Sequence, residues 1–337
     1  MSNAVRVSLH ETRLLCERAA FRRGANAATA RSLAASVVAA EAEGQTGVGL
    51  AHFIDYIDAM EAGRLRGDAE PVLSRPARAI VLSDARGGAA HTGFDAAFED
   101  MVSAAQAYGL ALFVQRNAFT CGALGYFAAR LAERGLVALA ATNGPALIAP
   151  QGVKKPVYCT NPLAFAAPAA GRPVLLIDQS SSATAFVNVR AAAKAGEPIP
   201  EGWAIDADGN PTTDAARAVK GALVAFGGAR GANIALMVEV LAAGLSGANW
   251  SLDAPSFTRG DESPGSGLFV LAIAASLVDP AFEERLGAQL GRLSADYGVH
   301  LPGAAKAAAA ELAEREGILV SAAIFDRLAG ASPVRRE

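Results

Sequence analysis

The chain has 337 residues, 52% hydrophobic and 19% charged, with a formal net charge of −3. That length favours two units or one large domain with an excursion, and the composition supplies ample apolar material for a core. The lack of a basic excess argues against a nucleic-acid binder.

Three widely spaced cysteines, Cys16, Cys121 and Cys159, form neither a disulfide framework nor a zinc pattern, and they fit a reducing cytosol. The N-terminus lacks the apolar run of a signal peptide. The most apolar helical stretch, 232–245, contains Glu239 and is too short to span a bilayer. A soluble cytoplasmic protein with no membrane partner is the expectation.

Residues 8–43 read as helix, with Asn26 as the cap of a second segment and Gly44 as its stop. In 50–62 the spacing of Leu50, Phe53, Ile57 and Met60 predicts an amphipathic helix. The character changes near Pro71 and Pro76. A strand is expected at 78–84, a helix ending at Gly109, a strand at 111–115, a helix over 122–134 and a strand at 136–142. A stretch dense in Pro and Gly follows (143–173), then a buried strand at 174–178 ending on Asp178. Turn signals mark EPIPEG and DADGNPTTD. The latter lacks the spacing and terminal Glu of an EF-hand loop, so it reads as a solvated turn. A long apolar helix (231–245), a strand (268–273) and two helices after Pro280 complete the chain. The ends are thus helical and the middle mixed. The expected division is a helical unit from 1–75 and 280–337, around an α/β unit at 76–279 with an inserted subdomain near 116–172.

No G-x-G-x-x-G between strand and helix occurs, nor a Walker A motif, H-E-x-x-H or G-x-S-x-G. Several weaker signals cluster in the middle. LLIDQSSSAT (175–184) sets Asp178, Gln179 and Ser180 at a strand's carboxyl end, where hydroxyls and free amides suit phosphate or ribose. A polar turn is the plainer explanation of those residues alone. FGGARGAN puts a double glycine, Ala229 and Arg230 at a helix start, which suits an anion and equally suits close helix packing. RNAFTCGALGYF opens a helix after a strand, a third possible anion seat. KKPVYCTNP offers two lysines and Thr160.

Together these stretches resemble the malate/L-lactate dehydrogenase superfamily of the non-Rossmann type. That superfamily includes Δ1-piperideine-2-carboxylate/Δ1-pyrroline-2-carboxylate reductases, ureidoglycolate dehydrogenase and sulfolactate dehydrogenase. The likeness spans nearly the whole chain. It is carried by DYIDAMEAGRL, ALGYFAARLAERGLVALAATN, GVKKPVYCTNPLAFAAP, LLIDQSSSAT, PIPEGWAIDADGNPTTD and FGGARG followed by ALMVEVLAAGLSGAN. The resemblance implies an NAD(P)-binding domain with a mostly antiparallel sheet, a helical domain from both chain ends, and a homodimer with active sites between subunits. By position it assigns Thr120, Cys121, Gly122, Ala123, Leu124, Asp178, Gln179, Ser180, Ala229, Arg230 and Lys306 to the cofactor, and Thr160 to the substrate. Arg230 and Lys306 would suit the 2′-phosphate of NADP, with NAD the alternative.

The departures from the family pattern matter most. Where many members carry Ser-His-Gly as part of a proton relay, this chain has Gly47, Val48 and Gly49. The relay's Asp is matched by Asn188, and an Arg that binds substrate carboxylate is matched by His52. Members often have His where this chain has Phe119 and Thr120. Gly47, Val48 and His52 would therefore line the substrate. His52 or the Thr120 hydroxyl would supply any remaining acid–base chemistry, with a helix-surface or packed histidine as the bland alternative for His52. His91 reads as a loop residue, and Cys121 as a small packed one.

Hydride addition to a ketone makes an alkoxide and needs a positioned proton donor. A cyclic imine is protonated on nitrogen beforehand, and its amine product needs no proton in the transition state. The departures therefore favour NAD(P)H-dependent reduction of Δ1-pyrroline- or Δ1-piperideine-2-carboxylate to L-proline or L-pipecolate. The alternatives are a 2-hydroxy-acid dehydrogenase acting on malate, lactate or sulfolactate, or a catalytically silent NAD(P)-binding relative.

Overall fold

The computed structural model describes residues 4–330. Strand β1 (Ala4–Val7) leads into helices α1 (Leu9–Phe21), α2 (Ala27–Ala42) and α3 (Leu50–Glu61). Ser8 and Glu11 form a capping box on α1, and the Asn26 side chain accepts the Thr29 N–H at 2.8 Å to start α2. Gly44, with φ 77°, follows the end of α2 in the left-handed region that glycine adopts freely. Helix α3 buries Leu50, Phe53, Ile57 and Met60, as their spacing requires.

The middle of the chain runs β2 (Val72–Ala77), β3 (Ile80–Asp84), α4 (Ala90–Tyr108), β4 (Leu110–Ala118), α5 (Gly125–Ala132), β5 (Val137–Thr142), β6 (Ile148–Ala149), β7 (Leu163–Ala167) and β8 (Leu175–Gln179). Next come α6 (Phe186–Ala195), β9 (Ala204–Ile205), β10 (Pro211–Thr212), α7 (Ala215–Ala218), β11 (Ala222–Val224) and α8 (Ala229–Glu239). The last part holds β12 (Ser266–Ile273), α9 (Phe282–Tyr297), α10 (Ala304–Glu316), β13 (Ile318–Ser321) and α11 (Ala322–Ala329).

Seven strands form the main sheet in the order β2-β3-β4-β12-β5-β7-β8. Only β3 and β4 run parallel; every other neighbouring pair in this sheet is antiparallel. Strand β12 arrives from late in the chain to sit at the centre, buried on both faces. On one face α4 and α5 pack Phe94, Phe98 and Phe127 against Phe113 and Val270. On the other, Val238 of α8 packs with Val114, Ala141 and Phe269. A four-stranded sheet, order β10-β9-β11-β6, lies apart, and β1 pairs with β13 to join the two chain ends. The fold is α/β with a mostly antiparallel main sheet, as expected. Among the described residues no helix is long and apolar enough to cross a membrane.

Several local expectations need correction. Among the described residues, strand β8 is the edge strand of the main sheet rather than a buried one, and the LAFAAP stretch supplies its one neighbour, β7. Helix α5 starts at Gly125 rather than 122, because Gly122 takes φ 61° and breaks the turn before it. Helix α8 starts two residues early and passes into a π-helical turn at Val240–Gly244. After Pro280 a strand and a third helix, β13 and α11, follow the two expected helices. His91 lies in the first turn of α4 and is fully buried, not in a surface loop. Residues 206–210 form a turn in which the Asp206 carboxylate accepts the N–H groups of Asp208 and Asn210 and pairs with Arg217, and the short strand β10 follows it.

Candidate active site

The first loop ends at a helix start that another helix caps. Glu41 of α2 accepts the Leu50 N–H at 2.8 Å, and a Cβ on Gly49 would overlap that carboxylate. Burial raises the Glu41 carboxyl above its ordinary value. Gly47 is exposed with nothing within 4 Å of where a Cβ would sit, and Val48 is half-buried. From Gly44 to Gly49 the loop therefore presents no ionisable group.

One turn into α3, the His52 ring is partly exposed, with Nδ1 3.1 Å from Asp55 Oδ2. Its ring centroid lies 4.6 Å from that of Tyr56, four residues on and so on the same helix face. A Cβ at Gly122 would come 3.1 Å from the Tyr56 hydroxyl and 3.6 Å from His52 Cδ2. The 120–124 loop thus packs directly on the His52–Tyr56 pair. Thr120 and Gly122 are half-buried, while Cys121, Ala123 and Leu124 are buried. Burial pushes the Cys121 thiol up to about 12, which makes it a packing residue rather than a nucleophile.

Behind the loop, Tyr56 and His91 are both fully buried, with ring centroids 6.2 Å apart. The Tyr56 hydroxyl and both His91 nitrogens have no hydrogen-bond partner among the described residues. Burial holds the phenol well above its usual value and pushes His91 down to about 4, so both are neutral near pH 7.

Beyond the loop, Asp178 at the end of β8 accepts the Gly125 N–H at 2.8 Å. This carboxylate occupies the start of α5, which the sequence suggested as a seat for a bound anion. Burial raises Asp178, partly offset by the Gly125 bond and then by the charge of Lys306 on α10. The same lysine acts on Glu43, which burial also raises. Lys306 is half-buried, and it reaches this edge because Leu176 N–H donates to Pro302 at 3.3 Å, docking the turn before α10 onto β8.

Thr160 is half-buried and is held through its neighbours. Cys159 N–H donates to Ser251 Oγ at 3.0 Å, and Asn161 Nδ2 donates to Glu239 Oε2 at 2.7 Å. The buried Glu239 also accepts from the Ser251 N–H and hydroxyl at 2.6 and 2.7 Å, so one carboxylate ties three segments together. Ser181 N–H donates to the Thr160 carbonyl at 2.8 Å, and Phe226 N–H to the Ser181 carbonyl at 3.1 Å. The Ser180 hydroxyl bonds that of Ser182 at 2.9 Å, and Gln179 is exposed. Those bonds lead from the strand end to the double glycine, where Ala229 and Arg230 stand exposed on the first turn of α8. Gly227 and Gly228 line a cleft of about 520 Å³ with Gln151, Lys154 and Gly202. Asn188 lies on α6, where its amide donates to the Thr184 hydroxyl at 3.0 Å.

The structure therefore joins His52, residues 120–124, Asp178 and Lys306 on one side, and links Thr160, Ser180, Ala229 and Arg230 to them through residues 181–182 and 226. Sequence reasoning missed Tyr56, His91, Asn161, Ser251 and Glu239. Tyr56 and Glu239 did carry signals: a helical repeat from His52, and a lone acid in an apolar helix. Nothing in the local sequence marks His91 as buried.

The mostly antiparallel main sheet, with helices packed on both faces, defines an α/β protein distinct from the parallel doubly wound fold. The malate/L-lactate dehydrogenase family matches residues 7–329, and the chain belongs to it. It is an NAD(P)-dependent oxidoreductase of that family. It is 37% identical over 298 residues to a (2R)-3-sulfolactate dehydrogenase (NADP(+)) of Chromohalobacter salexigens, covering 88% of this chain and 89% of the relative. It is 35% identical over 323 residues to a Δ1-pyrroline-2-carboxylate/Δ1-piperideine-2-carboxylate reductase of Pseudomonas putida, covering 95% of each. The crystal structure of Δ1-piperideine-2-carboxylate reductase from Pseudomonas syringae pvar. tomato superimposes with a TM-score of 0.93 at 30% identity, covering 97% of this chain and all of that one (100%).

Proposed function

We propose that the protein reduces a cyclic 2-imino carboxylate, Δ1-pyrroline-2-carboxylate or Δ1-piperideine-2-carboxylate, to L-proline or L-pipecolate. The observation that carries this reading is the first loop. Gly47 and Val48 offer no proton donor, and Asn188 bonds locally to Thr184. A site built this way suits a substrate whose nitrogen is already protonated when hydride reaches C2, because the neutral amine product then forms without a further proton transfer. The reductases of Pseudomonas putida and Pseudomonas syringae support the same substrate class. The sulfolactate dehydrogenase relative keeps a second reading in view, a 2-hydroxy-acid dehydrogenase using His52 as acid.

In this reading His52 binds the substrate carboxylate from α3, Gly47 and Val48 border the substrate, and Thr160 contacts it from the opposite side. Thr120, Cys121, Gly122, Ala123, Leu124, Asp178, Gln179, Ser180, Ala229, Arg230 and Lys306 hold the cofactor. The residues suit that group. The Gly122 turn presents backbone beside an unpartnered tyrosine hydroxyl, and Lys306 offers a cation to a phosphate. When bound, NAD(P)H supplies the hydride. The chain's own residues orient the imine, hold its carboxylate and exclude water through the buried Cys121, Ala123 and Leu124.

The proposal extends to organisation and location. Pairing of β1 with β13 and packing of α11 against α1 and α3 support a helical unit built from both ends. Helix α9 instead lies against residues 169–172, and the small sheet draws on 148–149 and 204–224, so those parts fit the expected boundaries less well. An exposed apolar face on α8 supports a homodimer with sites near the subunit contact. Three buried free thiols suit the cytoplasm.

The test is NADPH and NADH oxidation with both cyclic imines against pyruvate, oxaloacetate and sulfopyruvate. Faster turnover of either imine is the expected result. Fast turnover of the oxo acids with none of the imines sinks the proposal, and cofactor binding without turnover on the whole panel points to the silent relative.

A further inference from the structure

Residues 250–264 form a strap whose role the reaction above does not use. Its base is closed by Asn249, whose N–H donates to the Gly265 carbonyl at 3.1 Å and whose amide donates to the Pro264 carbonyl at 3.0 Å. Near its first turn, Ser251 holds Cys159 and Glu239. Its far side is pinned by Arg64, just beyond α3. The guanidinium donates to the Phe257 carbonyl at 3.1 Å and to the Gly260 carbonyl at 2.9 Å.

The strap directs one aromatic ring inward. Phe257 meets Phe119 edge-on, with centroids 6.2 Å apart, and Phe119 meets Tyr56 at 6.0 Å. At the ring's tip stands Gly144, where a Cβ would come 2.6 Å from Phe257 Cζ and 3.3 Å from Cys159 Sγ. The ring therefore fits only because residue 144 lacks a side chain. Phe119 precedes Thr120 in the chain, and Cys159 precedes Thr160. The ring thus sits between the immediate neighbours of the two hydroxyl residues assigned to the site.

We propose that Phe257, with Phe119, Gly144 and Cys159, forms an uncharged wall of the substrate pocket that receives the methylene carbons of a cyclic substrate and disfavours a second anionic group; Arg64 is the positioning residue for this wall. The inference rests on the proposed site and deepens it. The Cys159 thiol of the wall stays neutral because burial raises it to about 11. A ring of CH₂ groups gains by burial against such a surface. The second carboxylate or sulfonate of oxaloacetate or sulfopyruvate would lose its hydration there against uncharged groups, since the Arg64 guanidinium behind the ring is engaged by the Phe257 and Gly260 carbonyls.

The experiment compares the full-length wild type with Phe257→Ala, Arg64→Ala and Phe257→Arg, using NADPH with the imines and oxo acids named above. Losing the ring's contact raises the imine KM about ten-fold in Phe257→Ala, with a smaller rise in Arg64→Ala. The KM for NADPH stays within about two-fold, which separates a lost wall from a loosened fold. Phe257→Arg shifts the kcat/KM ratio of oxaloacetate to imine upward by about ten-fold or more. An imine KM unchanged in Phe257→Ala, or one that rises only in step with the NADPH KM, overturns the wall. The wild type alone decides the reaction. If it reduces only oxo acids, the proposed reaction falls and the same KM criterion on the best oxo acid decides the wall. If it turns over nothing, titration of the NADP⁺-loaded enzyme with L-proline and L-pipecolate applies that criterion to Kd.

Discussion

The amide N–H of Gly125 donates to the Asp178 carboxylate at 2.8 Å, so the end of one strand supplies the cap that helix α5 does not provide for itself. The residue at the cap position, Leu124, has no side chain able to accept that bond. A Cβ on Gly125 would lie 2.9 Å from Asp178 Oδ2, so the contact also depends on a glycine. The two segments assigned to the cofactor by position, 120–124 and 178–180, are thereby locked to each other before any ligand binds.

Asp178→Ala removes the cap and the lock together. Loss of an N-terminal cap costs about 1 kcal/mol, which for a chain of this size lowers Tm by about 2 °C. Cofactor affinity falls about ten-fold or more, because the 120–124 loop loses its anchor. Asp178→Asn keeps an acceptor oxygen and recovers most of the stability. Thermal melts and NADPH titration of the two variants check this. Equal NADPH affinity in wild type and Asp178→Ala would remove Asp178 from the cofactor site.

His91 provides a pH signature. Burial is the largest cause that holds its imidazole down to about 4, against an ordinary value of 6.5. Between those values the unfolded chain holds more protons than the folded one, so stability is lost as pH falls from 6.5 towards 4. The full shift corresponds to about 3 kcal/mol across that window. Asp178, Glu41 and Glu43 have raised values and act in the opposite sense, weakening the fold as pH rises through them. The difference between wild type and His91→Phe isolates the histidine. The phenyl ring keeps the stack on Phe127, at 5.1 Å between centroids, and removes two unpartnered nitrogens. The variant melts higher at pH 5 by several degrees, with a smaller gain at pH 7. Parallel Tm–pH curves for the two proteins would contradict this account.

The sequence made the large elements legible where a period was strong. The apolar spacing of α3, the cap Asn26 and the stop Gly109 each name a local interaction, and the structure places them accordingly. The errors share a cause in non-local contacts. Whether 174–178 is an edge or a central strand depends on which strands pair beside it, and its composition is the same in either case. Helix α5 starts late because of Gly122 and a carboxylate 53 residues away in sequence. In the site, the absence of an ionisable side chain at Gly47 and Val48 is visible in one line of sequence. The aromatic contacts of Phe257 and the burial of His91 arise only when distant segments meet.

His52 is the residue proposed above to hold the substrate carboxylate. Its contacts to Asp55 and Tyr56 fix the ring on α3 beside Gly122. His52→Ala raises the KM for the imine by about ten-fold and leaves the NADPH KM within two-fold, as expected for loss of a ligand contact that binds ground and transition states alike. His52→Arg restores or improves binding, since a guanidinium pairs both carboxylate oxygens. Steady-state kinetics with each substrate varied separately provide the check. Unchanged KM and kcat in His52→Ala would exclude the residue from the site.

The outer face of α8 carries the case for a homodimer. Leu236 and Met237 of α8 and Val240 at the start of the π-helical turn are 47%, 41% and 47% exposed, and nearby Leu245, Trp250 and Leu252 are exposed as well. Single exposed apolar residues are ordinary, but a run on one helix face marks a contact surface. Trp250 and Leu252 open the strap that carries Phe257, so covering this face also steadies the proposed substrate wall. Leu236→Asp with Val240→Asp places charges on the face without touching the buried Val238 and Glu239 between them. Light scattering shows a dimer for the wild type and a monomer for the double variant. Activity falls more through substrate KM than through NADPH KM, because the strap and not the 120–124 loop borders the exposed face. A wild type that elutes as a monomer at every concentration, with full activity, would remove both the dimer and this coupling.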